Sequence, residues 1–250
     1  WFLTKFLGNF TFFLEIIVVL RKKWLSSINL FVLEIYQKTL FKKVGFKGVG
    51  LHSGKNSEIN LLPAPANSGI VFKRVDLKSK NLIKANFANV SSAKLCTTLE
   101  NDHGVKVSTV EHLLAALYIT GIDNVLIEIN NEEVPIMDGS SIEFIRALKK
   151  ANLIDQTEKR KYLKISNKIE LLDGERKISI EPNNLSLEVN FQLNYKNKII
   201  GKQKNIVDFQ KDNLDQVSSS RTFCLFEDIE KIKKLGLAKG GSLENAVVVD

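Results

Sequence analysis

An α+β fold is what this 250-residue sequence predicts, and three observations predict it. Short alternating or apolar runs bounded by turn formers read as strands. Two segments of the first half carry helical spacing. The same mixture of strands and helices recurs after a polar, aperiodic stretch at residues 154–161. A composition of 44% hydrophobic and 26% charged residues is that of an ordinary globular chain able to bury a core.

In chain order, the packed pattern begins near Leu40. Residues 57–62 and 69–74 read as strands separated by the turn-rich Pro63-Ala64-Pro65-Ala66-Asn67. Residues 108–121 give the clearest helix, with Val110, Leu113, Leu114 and Leu117 on one face and Gly121 suited to the position past its end. A strand follows at 124–129, placing Val125, Ile127 and Ile129 together. The turn at 134–139 leads to a second helix at 140–152, with Ser140 and Glu143 spaced as a capping box. Beyond the polar stretch, residues 168–172 and 176–181 flank Asp173-Gly174, a hairpin signal. Residues 185–193 alternate as a strand, 226–235 read as a helix stopped by Gly236, and 246–249 begin another strand. The chain thus divides into an atypical extension (1–36), a first α+β domain (37–154) and a second (162–250).

The net charge of +8 is unevenly spread. Residues 1–43 hold seven basic side chains against Glu15 and Glu34, a net of +5, which leaves +3 for the rest. That remainder has no dense basic run with interleaved aromatics, so no nucleic-acid partner is expected. The apolar run FTFFLEIIVVL is interrupted by Glu15 and too short for a spanning helix, which needs about 20 apolar residues. Arg21-Lys22-Lys23 follows it as a cytoplasmic flank would, so peripheral contact with the inner membrane, or a non-catalytic membrane-associated binding module, is the alternative kept open. The chain opens on Trp1 and has no Met before Met137, so it reads as a fragment, with translated upstream sequence expected at its start. Two cysteines, Cys96 and Cys224, cannot frame a disulfide scaffold, and a reducing, cytoplasmic setting is expected.

Two stretches carry chemical signals. GVGLHSGK, residues 48–55, imitates a phosphate loop but fails its spacing: Val49 stands where the first glycine belongs, and Asn56 offers magnesium no hydroxyl. That argues against a nucleotide-binding kinase or ligase. The second is Thr109-Val110-Glu111-His112-Leu113. Ser108 and Glu111 fit a capping box, with His112 an ordinary satisfied histidine. Equally, His112 lies about 200° round the helix from Val110, in a first turn whose dipole keeps imidazole neutral and fit for a divalent metal. A carboxylate one residue earlier would then stand as base beside a metal-bound water. The other histidines, His52 and His103, form no metal-ligand pair with it, and the residues alone leave both readings open.

Taken together, GVGLHSGK (48–55), LLPAPANSGIVFKR (61–74), LCTTL (95–99), STVEHLLAAL (108–117), GIDNVLIEIN (121–130), EVPIMDGSS (133–141), SRTFCLFEDIE (220–230) and GLAKGGSLENAVVVD (236–250) resemble the UDP-3-O-acyl-N-acetylglucosamine deacetylases. These are zinc amidases of lipid A biosynthesis in Gram-negative bacteria. The resemblance runs from about Gln37 to the last residue. It implies two similar domains, each a β-sheet packed against a pair of helices, with the active site between them. It also implies Zn2+ as cofactor and a nucleotide-sugar lipid precursor as substrate. On this likeness His112 is a zinc ligand, Glu111 the general base, and Thr222 the hydroxyl that steadies the oxyanion. Leu95, Cys96, Phe223, Gly241 and His52 line the substrate site, and Arg176 meets the diphosphate. Lys94 departs from the family, whose members often carry an apolar residue there. The family's remaining ligands come from a His-x-x-x-Asp segment expected beyond Asp250, so this fragment is expected to hold zinc weakly and to be inactive alone.

Overall fold

A computed structural model of the protein describes residues 35–183 and 186–250. All but the last two residues of the 1–36 extension therefore lie outside the described residues, as does the start of the strand expected at 185. The strands of the first half are β1 (Tyr36–Leu40), β2 (Val44–Val49), β3 (Asn56–Pro63), β4 (Ile70–Arg74), β5 (Leu82–Lys84), β6 (Val90–Ser92), β7 (Thr98–Glu100) and β8 (Lys106–Ser108). Helix α1 (Glu111–Thr120), β9 (Val125–Ile129), α2 (Ile142–Ala151) and β10 (Leu153–Lys159) follow.

Five of these strands make one sheet in the order β2-β3-β9-β4-β5, in which β9 runs antiparallel to β3 and parallel to β4. β9 is central because its apolar residues serve the core: Val125, Ile127 and Ile129 are fully buried, as are Ile59, Leu61 and Phe72 on its neighbours and Ile83 on the edge strand β5. Leu113, Ala116 and Leu117 of α1 and Phe144, Ile145 and Leu148 of α2 join the same core, and Phe46 meets Phe144 edge to face at 4.9 Å. A smaller meander, β6-β7-β8, adds Leu99 and Val107.

α1 ends as its sequence promises. Gly121 takes φ 75°, its N–H bonds the Tyr118 carbonyl at 3.0 Å, and Ile122 N–H bonds that of Leu117 at 3.0 Å. That is a Schellman closure, which only a left-handed residue allows cheaply. Neither expected capping box forms. Thr109, at φ 57°, turns the chain so sharply that Ser108 stays in β8 and Glu111 becomes the first helical residue. At the second helix Asp138 takes the hydroxyl and N–H of Ser140, and helical geometry begins only at Ile142.

The aperiodic segment after α2 is a strand. β10 pairs antiparallel with β1, Leu40 facing Leu153. Its polarity is used: Gln156 donates to the Ala64 carbonyl and accepts from Asn124, and Arg160 forks onto Asp123 at 2.7 and 2.8 Å.

In the second half β11 (Ile169–Asp173) and β12 (Arg176–Ile180) form the hairpin foreseen at Asp173-Gly174. β13 (Glu188–Asn194) and β14 (Lys202–Asp208) form another. A short α3 (Asp215–Ser219) precedes β15 (Phe223–Leu225), α4 (Ile229–Lys234) and β16 (Val247–Val249), with β15 and β16 parallel. Among the described residues no helix is long and apolar enough to cross a membrane.

Candidate active site

The first turn of α1 is buried on every side: Val110, Glu111 and Leu113 have no exposure and His112 has 2%. A carboxylate and an imidazole in such a place normally find partners. Glu111 finds half of one, since its Oε2 accepts the Thr97 N–H at 2.9 Å while Oε1 is buried without a bond. His112 finds none for either ring nitrogen. Burial pushes the Glu111 carboxyl up to about 7 and the His112 imidazolium down to about 3. At neutral pH the pair is thus a neutral imidazole beside a carboxyl poised to give or take a proton.

Around this pair the backbone is bent into unusual forms. Leu95 and Thr109 both take positive φ, at 64° and 57°. The Thr97 carbonyl accepts the Val110 N–H, so the LCTTL segment is stitched to the helix start on both sides of Thr97. Cys96 is buried and free, and desolvation pushes its thiol up to about 11, with the neighbouring Glu111 carboxylate acting in the same direction. It is a packing residue, not a nucleophile. The half-buried His52 ring lies beside the Leu95 backbone and Glu133, and neither nitrogen makes a well-formed hydrogen bond. Burial lowers its proton affinity, partly against the pull of Glu133.

The structure therefore gathers His52, Leu95, Cys96, Glu111 and His112 into one neighbourhood. Thr222 and Gly241 reach it through the backbone. Thr222 N–H bonds the Gly139 carbonyl at 2.8 Å, and its own carbonyl accepts Val247 N–H. Ser141 ties the same region to the pair, its hydroxyl bonding the His112 carbonyl and its N–H the Ser218 carbonyl. Gly241 sits against Leu51, with a Cβ there 3.7 Å from Leu51 Cδ1. Phe223 stacks obliquely with Tyr195 at 6.0 Å. Arg176 stands apart, on the exposed β11–β12 hairpin with its guanidinium 3.9 Å from Asp173.

As a metal site the neighbourhood offers two imidazoles whose buried nitrogens lack partners, His52 and the more deeply buried His112. A buried neutral imidazole with no partner on either nitrogen is what a divalent ion would complete. Among the described residues no group of three His, Cys, Asp or Glu side chains surrounds a common point.

GVGLHSGK proves to be no phosphate cradle. Its N–H groups are taken: Gly50 bonds Lys55, Gly54 bonds Gly50, and those of His52 and Ser53 bond the Glu133 carboxylate at 2.8 and 2.7 Å. Gly54 takes φ 68°, but Gly50 is a glycine for room, since a side chain there would run into Glu133. Glu133 and Thr97 carry no role in the sequence reading. The signal for Glu133 was its place in EVPIMDGSS, an acid between a strand and a proline turn.

Comparison with known proteins supplies the family. A sequence profile described as UDP-3-O-acyl N-acetylglycosamine deacetylase matches residues 37–250. Relatives named UDP-3-O-acyl-N-acetylglucosamine deacetylase are 39% identical in Haemophilus ducreyi and 42% in Saccharophagus degradans, each over 219 residues covering 86% of this chain and 72% of the relative. One from Shewanella baltica is 41% identical over 86% of this chain and 71% of its own length. With the match spanning every element from β1 to β16, the chain belongs to the UDP-3-O-acyl-N-acetylglucosamine deacetylase family.

Proposed function

We propose that this chain carries the site that hydrolyses the N-acetyl group of UDP-3-O-acyl-N-acetylglucosamine, releasing acetate and the free amine. One observation carries the reading: Glu111 and His112, adjacent and fully buried, keep Glu111 Oε1 and both imidazole nitrogens free of protein partners. A fold does not leave three such atoms unpaired for stability.

The roles follow from protonation. Glu111 with its carboxyl near 7 takes a proton from the attacking water and returns it to the departing nitrogen. The Thr97 N–H holds Oε2, so the free oxygen faces one way only. His112, held neutral, supplies a ring nitrogen to zinc. Zinc, when bound, polarises the amide carbonyl and acidifies the water. Thr222, 7% exposed and fixed through Gly139 and Val247, presents the hydroxyl that donates to the developing oxyanion. Leu95, 43% exposed beside Cys96 and His52, gives the acyl-sugar an apolar wall. Two free cysteines and a UDP-activated substrate suit a cytoplasmic setting.

Glu111→Gln tests the assignment, made in a chain that also carries the His-x-x-x-Asp segment the family supplies. Zinc content should stay as it was while acetate release from the nucleotide sugar falls by about 10²–10⁴-fold. Undiminished turnover would remove Glu111 from the mechanism. His112→Ala should lose the bound zinc, measured by metal analysis, and retention of stoichiometric metal would place the ion elsewhere.

A further inference from the structure

We propose that Glu133 is a positioning residue that holds the His52 turn and the start of α1 in one fixed relation. Its carboxylate is 1% exposed and carries three hydrogen bonds. Oε1 accepts from His52 N–H at 2.8 Å and from the Thr109 hydroxyl at 2.8 Å, and Oε2 accepts from Ser53 N–H at 2.7 Å. No ion pair serves Glu133 among the described residues, so these donors carry its charge.

Each donor lies one step from the candidate chemistry. His52 bears the ring beside Leu95, and Thr109 is the bend that puts Glu111 and His112 at the first helical positions. The turn that Glu133 grips is gripped from its other side as well. Lys239 N–H bonds the His52 carbonyl at 3.3 Å, and Gly240 N–H bonds that of Leu51 at 3.0 Å. The backbones pass so closely that a side chain at Gly50 would strike Glu133 and one at Gly240 would strike the Gly50 carbonyl. A displacement of the Glu133 carboxylate therefore moves three parts at once: the His52 ring, the helix start and the Gly240-Gly241 loop. The inference rests on Glu111 and His112 being the reacting pair, but the clamp itself can be read without turnover.

The chain has three histidines, so their imidazole NMR signals are separable with few variants. Glu133→Gln keeps the shape and removes the charge, and its amide group faces a backbone N–H with another donor. The expected result is a loss of exchange protection at the His52 and Ser53 amides of about tenfold or more, the ratio one lost charge-assisted bond represents. The His52 and His112 imidazole signals should move, and that of the exposed His103 should not. In turnover, kcat should fall and KM rise together, because the helix start that bears the reacting pair and the His52 and Gly241 contacts to substrate are displaced at once. Unchanged amide protection overturns the proposal, as does a His103 shift as large as that of His52. If Glu133→Gln does not fold, Thr109→Ala decides, removing one bond of the three: the His112 signal should move while His52 and Ser53 stay protected. A His112 signal that does not move overturns it. Turnover bears on the deacetylase reading alone, and the amide and imidazole signals judge the clamp whether or not the unaltered chain turns over.

Discussion

Glu111 and His112 are neighbours in sequence whose proton equilibria burial drives in opposite directions, and that opposition can be read in stability as well as in turnover. In the metal-free chain the folded Glu111 carboxyl titrates near 7 against an ordinary 4.5. Its contribution to stability is complete below 4.5 and is lost as pH rises through 7, because the fold must then hold a buried charge. Glu111→Gln should therefore match the parent near pH 4 and become the more stable chain above pH 7, by about 3 kcal/mol, measured by urea unfolding across that range. His112 has the reverse sign. Its neutral form contributes stability above 6.5 that is lost as pH falls through about 3, so a His112→Gln chain should show a shallower acid transition. The motif naming these two residues was legible in the sequence through family likeness, whereas helical spacing alone left a capping carboxylate and a satisfied histidine open beside it. Their lack of partners was not, since whether a polar atom is satisfied depends on what a distant segment brings. Thr97 supplies one N–H to Glu111 from 14 residues away, and nothing in LCTTL announces it.

At the scale of elements, spacing found α1, β9 and the β11–β12 hairpin because each repeats one pattern long enough to be seen. It missed β10, whose polar side chains serve a lattice of amides instead of an apolar face. Asn124 is the centre of that lattice: its Oδ1 accepts from Gly69 N–H, and its Nδ2 donates to Gln37 and Gln156. Asn124 is 1% exposed, so Asn124→Leu would take a partner from the buried Gln37 and from the half-buried Gly69 and Gln156, and should cost about 2 kcal/mol in urea unfolding. Removing the Lys38–Asp155 ion pair beside it, with side chains 38% and 68% exposed, should cost under about 1 kcal/mol. The comparison separates two kinds of polarity in one ribbon, the buried kind that fixes register and the solvated kind that does little. Both capping boxes failed for a related reason: S-x-x-E spacing describes a local chain, and here Thr109 and Asp138 had already decided where the helices begin.

At the scale of the whole molecule, the first half holds nearly all the apolar core. Among the described residues beyond β10, the buried apolar side chains are Ile200, Val207 and Val217. This later segment meets the first half through the Tyr118–Phe209 ring contact, the Arg221 bond to the Asp138 carbonyl and close backbone approaches, above all at Gly139, whose φ is 87° and where a Cβ would collide with the Asn245 carbonyl. Gly139→Ala should loosen residues 215–250 first, seen as earlier proteolysis there while the near-ultraviolet signal of the Phe46–Phe144 core persists. The strand order of the main sheet has a consequence for how the protein is made. β3 and β4 are consecutive in sequence yet unpaired, because the place between them belongs to β9. On the ribosome, both present open edges until residue 129 has been synthesised and has left the exit tunnel, an interval in which a nascent chain is at its most vulnerable to pairing with a neighbour. The last strand to arrive closes the sheet, so its synthesis is the moment at which the polypeptide stops being a hazard to other chains.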